Sequence, residues 1–195
     1  MKKFLSAALI ALVVTFAANI CAANIFDEPC GENVRVSDIG AEKFLASMKT
    51  TKTFRETLPA MNWQINFTPL THSPSLDKPN NGLSAWTSLF YDEQNIGGTL
   101  VFYVNGEGYV SGVSMYGYPN NKAGNGICVA ISLMAMEVIG VDPYGVEFSN
   151  KISNGWEENP RVKDECGIKI WCEKTQRMVC VLTSPKRTLI FATKW

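Results

Sequence analysis

The hydrophobic patterns of this chain predict an α+β fold: a single two-layer domain, an antiparallel sheet with helices packed on one face, after a cleaved signal peptide. Three observations lead there. Helix-period and strand-period segments follow one another in the order helix, strands, hairpin, helix, strands. Few residues are available between the strand-like runs for parallel crossovers, which need a dozen or more. Apolar residues make up 46% of the chain, ample for one core, and no internal repeat or low-complexity tract interrupts it.

Residues 1–23 read as the signal peptide. Met1-Lys2-Lys3 supplies a positive start, and 4–18 is an apolar run of 15 residues without charge or proline. Cys21-Ala22-Ala23 then offers small residues to signal peptidase, so cleavage is expected after Ala23, leaving residues 24–195 as one domain. The run is shorter than the ~20 residues of a spanning helix. The longest later apolar stretch, 127–139, is interrupted by Ser132 and Glu137, so no integral membrane span is expected. Cys21 raises a second reading, acylation as a lipoprotein, which Ile20 disfavours because the residue before such a cysteine should be small. The expected location is the bacterial periplasm or the exterior.

Residues 24–38 are polar and irregular, with Cys30 as a tether for the terminus. Ser37-Asp38 opens a helix over 41–58, in which Phe44, Leu45, Met48, Phe54 and Leu58 approximate one face and which Pro59 ends. Residues 63–68 alternate apolar and polar as a half-buried strand does. Residues 71–82, with two prolines, two asparagines and the chain's one histidine, read as an exposed loop.

The run 85–91 is aromatic and apolar, its period ambiguous between strand and helix. Residues 99–104 and 109–116, joined by Asn105-Gly106-Glu107-Gly108, give the clearest hairpin signal and are placed at the sheet's centre. A helix over 126–139 follows, capped by Asn125 and closed by Gly140 in a left-handed conformation. It is apolar nearly all round and so should be covered on most sides. Val146, Phe148 and Ile152 suggest a short amphipathic helix before a polar loop; 167–172, 178–183 and 188–193 read as strands.

Charge narrows the function. The chain holds 18 basic and 18 acidic side chains, and loss of Lys2 and Lys3 with the signal peptide leaves the mature protein two acids in excess. Without a basic surplus to hold phosphates, nucleic-acid binding is set aside.

Five cysteines survive cleavage, Cys30, Cys128, Cys166, Cys172 and Cys180, which in an oxidising compartment predicts up to two disulfides and one leftover thiol. Zinc is disfavoured for the last three, whose spacings of six and eight do not match structural zinc sites. If 175–177 is a three-residue loop, Cys172 faces Cys180 across a hairpin; a two-residue turn separates them. The rival pairs Cys166 with either. Cys128 is the expected odd thiol, because its helix is apolar on nearly every side.

Cys128 is also the strongest catalytic candidate. As third residue of the predicted helix it would sit where backbone amides stabilise a thiolate, with His72 as base and Asn80, Asn81 or Asp77 orienting the imidazole. Against this thiol-hydrolase reading, no histidine follows Cys128, and a buried or disulfide-linked cysteine beside a loop histidine is the commoner arrangement.

The acid pairs Asp92-Glu93, Glu157-Glu158 and Asp164-Glu165 point apart along an extended chain and read as solvated loop charges. Asn105-Gly106-Glu107-Gly108 joins strands and so is a turn, not a phosphate loop. The serines lack G-x-S-x-G context, and the acceptor Asn66-Phe67-Thr68 sits within a predicted strand. Most aromatics are core, with a few free to line a ligand groove or partner face. The sequence thus favours a non-enzymatic binding or interaction protein for an unidentified protein or small ligand, needing no cofactor or metal, over a thiol-dependent hydrolase.

Overall fold

An antiparallel sheet with accompanying helices, an α+β architecture, is what these patterns build. The computed structural model describes residues 35–93, 97–117, 122–155, 157–158, 167–173, 176–183 and 187–193. For 116–117, 122–125, 128, 151–152 and everything from 157 onward except Ile170, that description is of the backbone. The expected signal peptide and Cys21, Cys30, Asp164-Glu165 and Cys166 lie outside these residues.

Helix α1 is Ala41–Met48; a π-helical turn, Thr53–Thr57, runs into the short α2, Leu58–Ala60. Strands β1 (Asn66–Phe67) and β2 (Thr71–His72) precede two 3-10 turns, Pro74–Leu76 and Pro79–Asn81. Then come β3 (Ser84–Tyr91), β4 (Gly97–Val104), β5 (Val110–Gly117), α3 (Lys122–Val138) and α4 (Val146–Asn154). Strands β6 (Glu157–Glu158), β7 (Gly167–Glu173), β8 (Gln176–Thr183) and β9 (Arg187–Thr193) complete the order. The sheet runs β1-β3-β4-β5-β7-β8-β9-β6 with every pairing antiparallel, and β2 shares the outer edge of β3 with β1.

The ambiguous run 85–91 is therefore a strand. The β4–β5 hairpin closes as expected. Asn105 Oδ1 accepts the N–H of Glu107 at 3.1 Å and of Tyr109 at 3.0 Å, while Gly108 takes φ +87°, a left-handed value that glycine adopts without strain. The register shifts where Tyr103 pairs with Gly112 but Val104 with Val110, so Ser111 is the extra residue of a bulge.

Alternation then divides the sheet's two faces. Phe90, Leu100, Phe102, Val104, Val113, Met115 and Ile170 join the buried residues of α1 and α3 in the main core. Ala85, Val101 and Tyr103 turn the other way and form a second cluster with Leu83 and Leu76. Helix α3 packs against α1, β4, β5, β7 and β8. Ile127, Ile131, Met134, Ala135, Met136 and Ile139 are buried while Val129 is exposed, which agrees with a helix covered on most sides.

Three local expectations are corrected. The predicted helix over 41–58 breaks after Met48, where Thr50 and Thr51 turn their hydroxyls onto the carbonyls of Ser47 and Met48 at 2.8 and 2.7 Å and compete with the helix's own bonds. The predicted strand 63–68 pairs only at Asn66 and Phe67. Beyond them the Thr68 N–H still donates to the Leu89 carbonyl at 2.9 Å, but Thr68 Oγ1 accepts the Leu89 N–H at 2.9 Å and the Thr68 carbonyl accepts the Ser88 hydroxyl at 2.7 Å, so hydroxyls take over part of the ladder. Helix α3 opens at Lys122, not 126, which places Asn125 inside it. Its far end is as expected. Gly140 has φ +82° and donates to the Glu137 carbonyl, and the Val141 N–H reaches back to Met136, the pattern of a glycine-terminated helix. In α4, Phe148 is buried but Val146 is exposed, so its apolar residues do not share one inner face.

Candidate functional site

His72 is placed by β2, which adds two residues to the edge of β3 and sets His72 opposite Trp86. Paired residues share a sheet face, and the two rings lie 5.3 Å apart at 35°. Directly after β2, Pro74 starts the 3-10 turn that brings the chain back to Asp77. Both Asp77 carboxylate oxygens stand 3.1 Å from His72 Nε2, and Oδ1 also accepts the Ala85 N–H at 2.7 Å. Of the three orienting groups named from sequence, Asp77 is the one that meets the imidazole; Asn80 and Asn81 occupy the second 3-10 turn.

The chemistry of this pair follows from its geometry. The carboxylate holds a proton on Nε2, which leaves Nδ1 of the neutral ring as the basic nitrogen. The same carboxylate closes the backbone at the sheet edge, so its position is fixed whether or not His72 reacts.

Cys128 stands in the second turn of α3, because that helix opens at Lys122. The orphan amides and the dipole's positive end act within the first turn, so the expected stabilisation of a Cys128 thiolate loses its premise. Its side chain, and its separation from His72, lie outside what the structure describes. Cys172 and Cys180 fall into the two-residue-turn register: Glu173 pairs with Gln176, Cys172 with Arg177 and Cys180 with Lys169.

The remaining sequence candidates are structural where described. Glu157 and Glu158 form β6 against Thr188 and Arg187, and as successive strand residues they occupy opposite faces. Ser132 is buried within α3.

One constellation was invisible to motif reasoning. Glu137, which reads in the sequence as a mere interruption of an apolar run, accepts the N–H of Lys52 at 2.7 Å and of Thr53 at 3.0 Å, together with the Thr53 hydroxyl. The Tyr144 hydroxyl lies 2.8 Å from Thr53 Oγ1 and 2.6 Å from Thr57 Oγ1. The available signal was a lone acid in the last turn of a helix, where the dipole disfavours negative charge.

Among the described residues no three His, Cys, Asp or Glu side chains are grouped to hold a metal ion, and no helix is long and apolar enough to cross a membrane. Comparison with protein-family models, with curated proteins and with solved structures finds no match for this chain.

Proposed function

We propose that residues 24–195, released by cleavage after Ala23, are a secreted or periplasmic protein that works by binding a protein or small ligand without catalysis, built as a two-layer domain with its helices on one sheet face. The observation that carries this reading is how two carboxylates, those of Asp77 and Glu137, are employed. Asp77 terminates the Ala85 backbone at a sheet edge, and Glu137 terminates the backbone at Lys52 and Thr53. Both act as structural caps. The face of β3 turned away from the main core supports contact with a partner, since Leu89 and Tyr91 are 51% and 36% exposed there.

Export is tested by fractionating the producing cells and sequencing the N-terminus: a mature chain starting at Asn24 outside the cytoplasm is the expected result, and full-length chain retained inside refutes it. Binding is set against catalysis by Cys128→Ala. A copurifying hydrolase activity that this variant abolishes, with the fold intact, replaces the binding reading by a thiol-dependent hydrolase with Cys128 as nucleophile and His72 as base. The one observation favouring that second reading is the Asp77 carboxylate, which orients His72 as such a base requires.

A further inference from the structure

We propose that residues 49–62 form a strap, hinged at both ends, that opens and closes over α3 as a unit with the Glu137 carboxylate as its catch. The hinges are visible in the backbone. At one end α1 stops at Met48 and the chain passes through an irregular turn; at the other Asn62 has φ +54°, the one non-glycine residue at positive φ among those described. Between them the chain forms a π-helical turn, a rare backbone form that marks functional sites more often than plain scaffold.

The strap is attached by two apolar side chains and by a set of polar contacts. Leu58 is buried in the main core and Phe54 packs half-buried against it, while Lys52, Arg55, Glu56, Pro59, Ala60, Met61 and Asn62 are exposed. Thr53 is 0% exposed and meets the catch directly: Glu137 takes its N–H, its hydroxyl and the N–H of Lys52, and Tyr144 ties Thr53 to Thr57. A segment whose side chains are mostly exposed, held by two apolar residues and a few strong polar anchors, can open separately from the core.

Glu137 itself points to a tertiary role, not a helical one. A carboxylate in the last turn of α3 opposes that helix's own C-terminal partial charge, so its position is explained by the donors it receives from the strap. The other charged groups nearby are engaged elsewhere or exposed. Lys52 Nζ sits over the Tyr144 ring, 4.8 Å from its centroid; Arg55 and Glu56 are exposed on the strap; and Asp142 Oδ1 accepts the Tyr144 N–H at 3.0 Å. Opening would uncover the α3 surface on which the π-helical turn rests.

The test is hydrogen exchange on the whole mature protein. Glu137→Gln keeps the shape of the catch and removes its charge, and should speed exchange of the amides of 53–58, 60 and 61 about tenfold while leaving β4 and β5 unchanged. Tyr144→Phe, which removes one hydroxyl only, should give a smaller acceleration confined to the same amides. Acceleration spread equally over strap and sheet in either variant, or none in the strap, overturns the proposal. If Glu137→Gln does not fold, Tyr144→Phe decides alone by the same criterion.

Discussion

Gly126 and the Trp63 indole are in such close approach that a Cβ at residue 126 would stand 2.0 Å from Trp63 Cη2 and 2.8 Å from Cζ3. The chain leaving α2 thus lays its indole directly on the α3 backbone. Trp63 is half-buried and packed against the main core, so its ring has little room to withdraw. Gly126→Ala gains helix propensity of about 1 kcal/mol but meets this clash, which costs roughly 1–3 kcal/mol. Net destabilisation is expected in urea unfolding. In a Trp63→Ala background the same substitution should become neutral or stabilising, and a cycle showing no coupling would refute the contact.

The two faces of β3 make a second prediction. Phe90 is 1% exposed in the main core, whereas its neighbour Leu89 is half-exposed on the opposite face. Phe90→Ala should cost about 3–5 kcal/mol and Leu89→Ala under ~1 kcal/mol. Thermal melts of the two variants check this. Similar losses would mean that residues 84–91 are not a strand in this register.

How much of this was legible depends on the range of the interaction that fixes each element. The β4–β5 hairpin and the Gly140 stop could be read because their causes are local: an asparagine that folds onto its own turn, and glycines that accept positive φ. The break after Met48 was hidden in part because the amides of Lys52 and Thr53 are capped by Glu137, 85 and 84 residues away. Asn125 has good capping chemistry, yet α3 continues past it to Lys122, so a favourable cap residue does not force a helix to begin. The His72–Asp77 pair was half legible. Both residues could be named, but that Asp77 and not Asn80 or Asn81 reaches the ring depends on the 3-10 turn at Pro74.

Asp77 and His72 should differ in their effect on stability. Asp77→Ala leaves the Ala85 N–H at the sheet edge without its 2.7 Å acceptor and is expected to cost about 1–3 kcal/mol. Asp77→Asn keeps an acceptor for that amide and should recover most of the loss. His72 is exposed and contributes through a solvent-screened contact and its stacking on Trp86, so His72→Ala should cost under ~1 kcal/mol. Urea midpoints for the three variants give the order; a His72→Ala loss as large as that of Asp77→Ala would show that the imidazole, not the amide, is what Asp77 holds.

The cysteines give the sharpest prediction, because the β7–β8 register bears directly on a bond that two alternative turns would permit or forbid. The β7–β8 register pairs Glu173 with Gln176, so Cys172 pairs with Arg177 and Cys180 lies three residues further along β8. Three residues of strand span roughly 10 Å, beyond the ~7 Å between Cα atoms that a disulfide tolerates. An odd offset also puts the two cysteines on opposite faces of the sheet. A Cys172–Cys180 bond is therefore not expected. Any disulfide made by either residue is then expected to use Cys166 or Cys30, with Cys128 remaining the free thiol within α3. Alkylating the mature protein before reduction and mapping its peptides reads all of this at once: label should appear on Cys128 and no peptide should join Cys172 to Cys180. A Cys172–Cys180 link would overturn the register, while Cys128 in a disulfide would overturn its assignment as the odd thiol and remove the nucleophile of the hydrolase alternative.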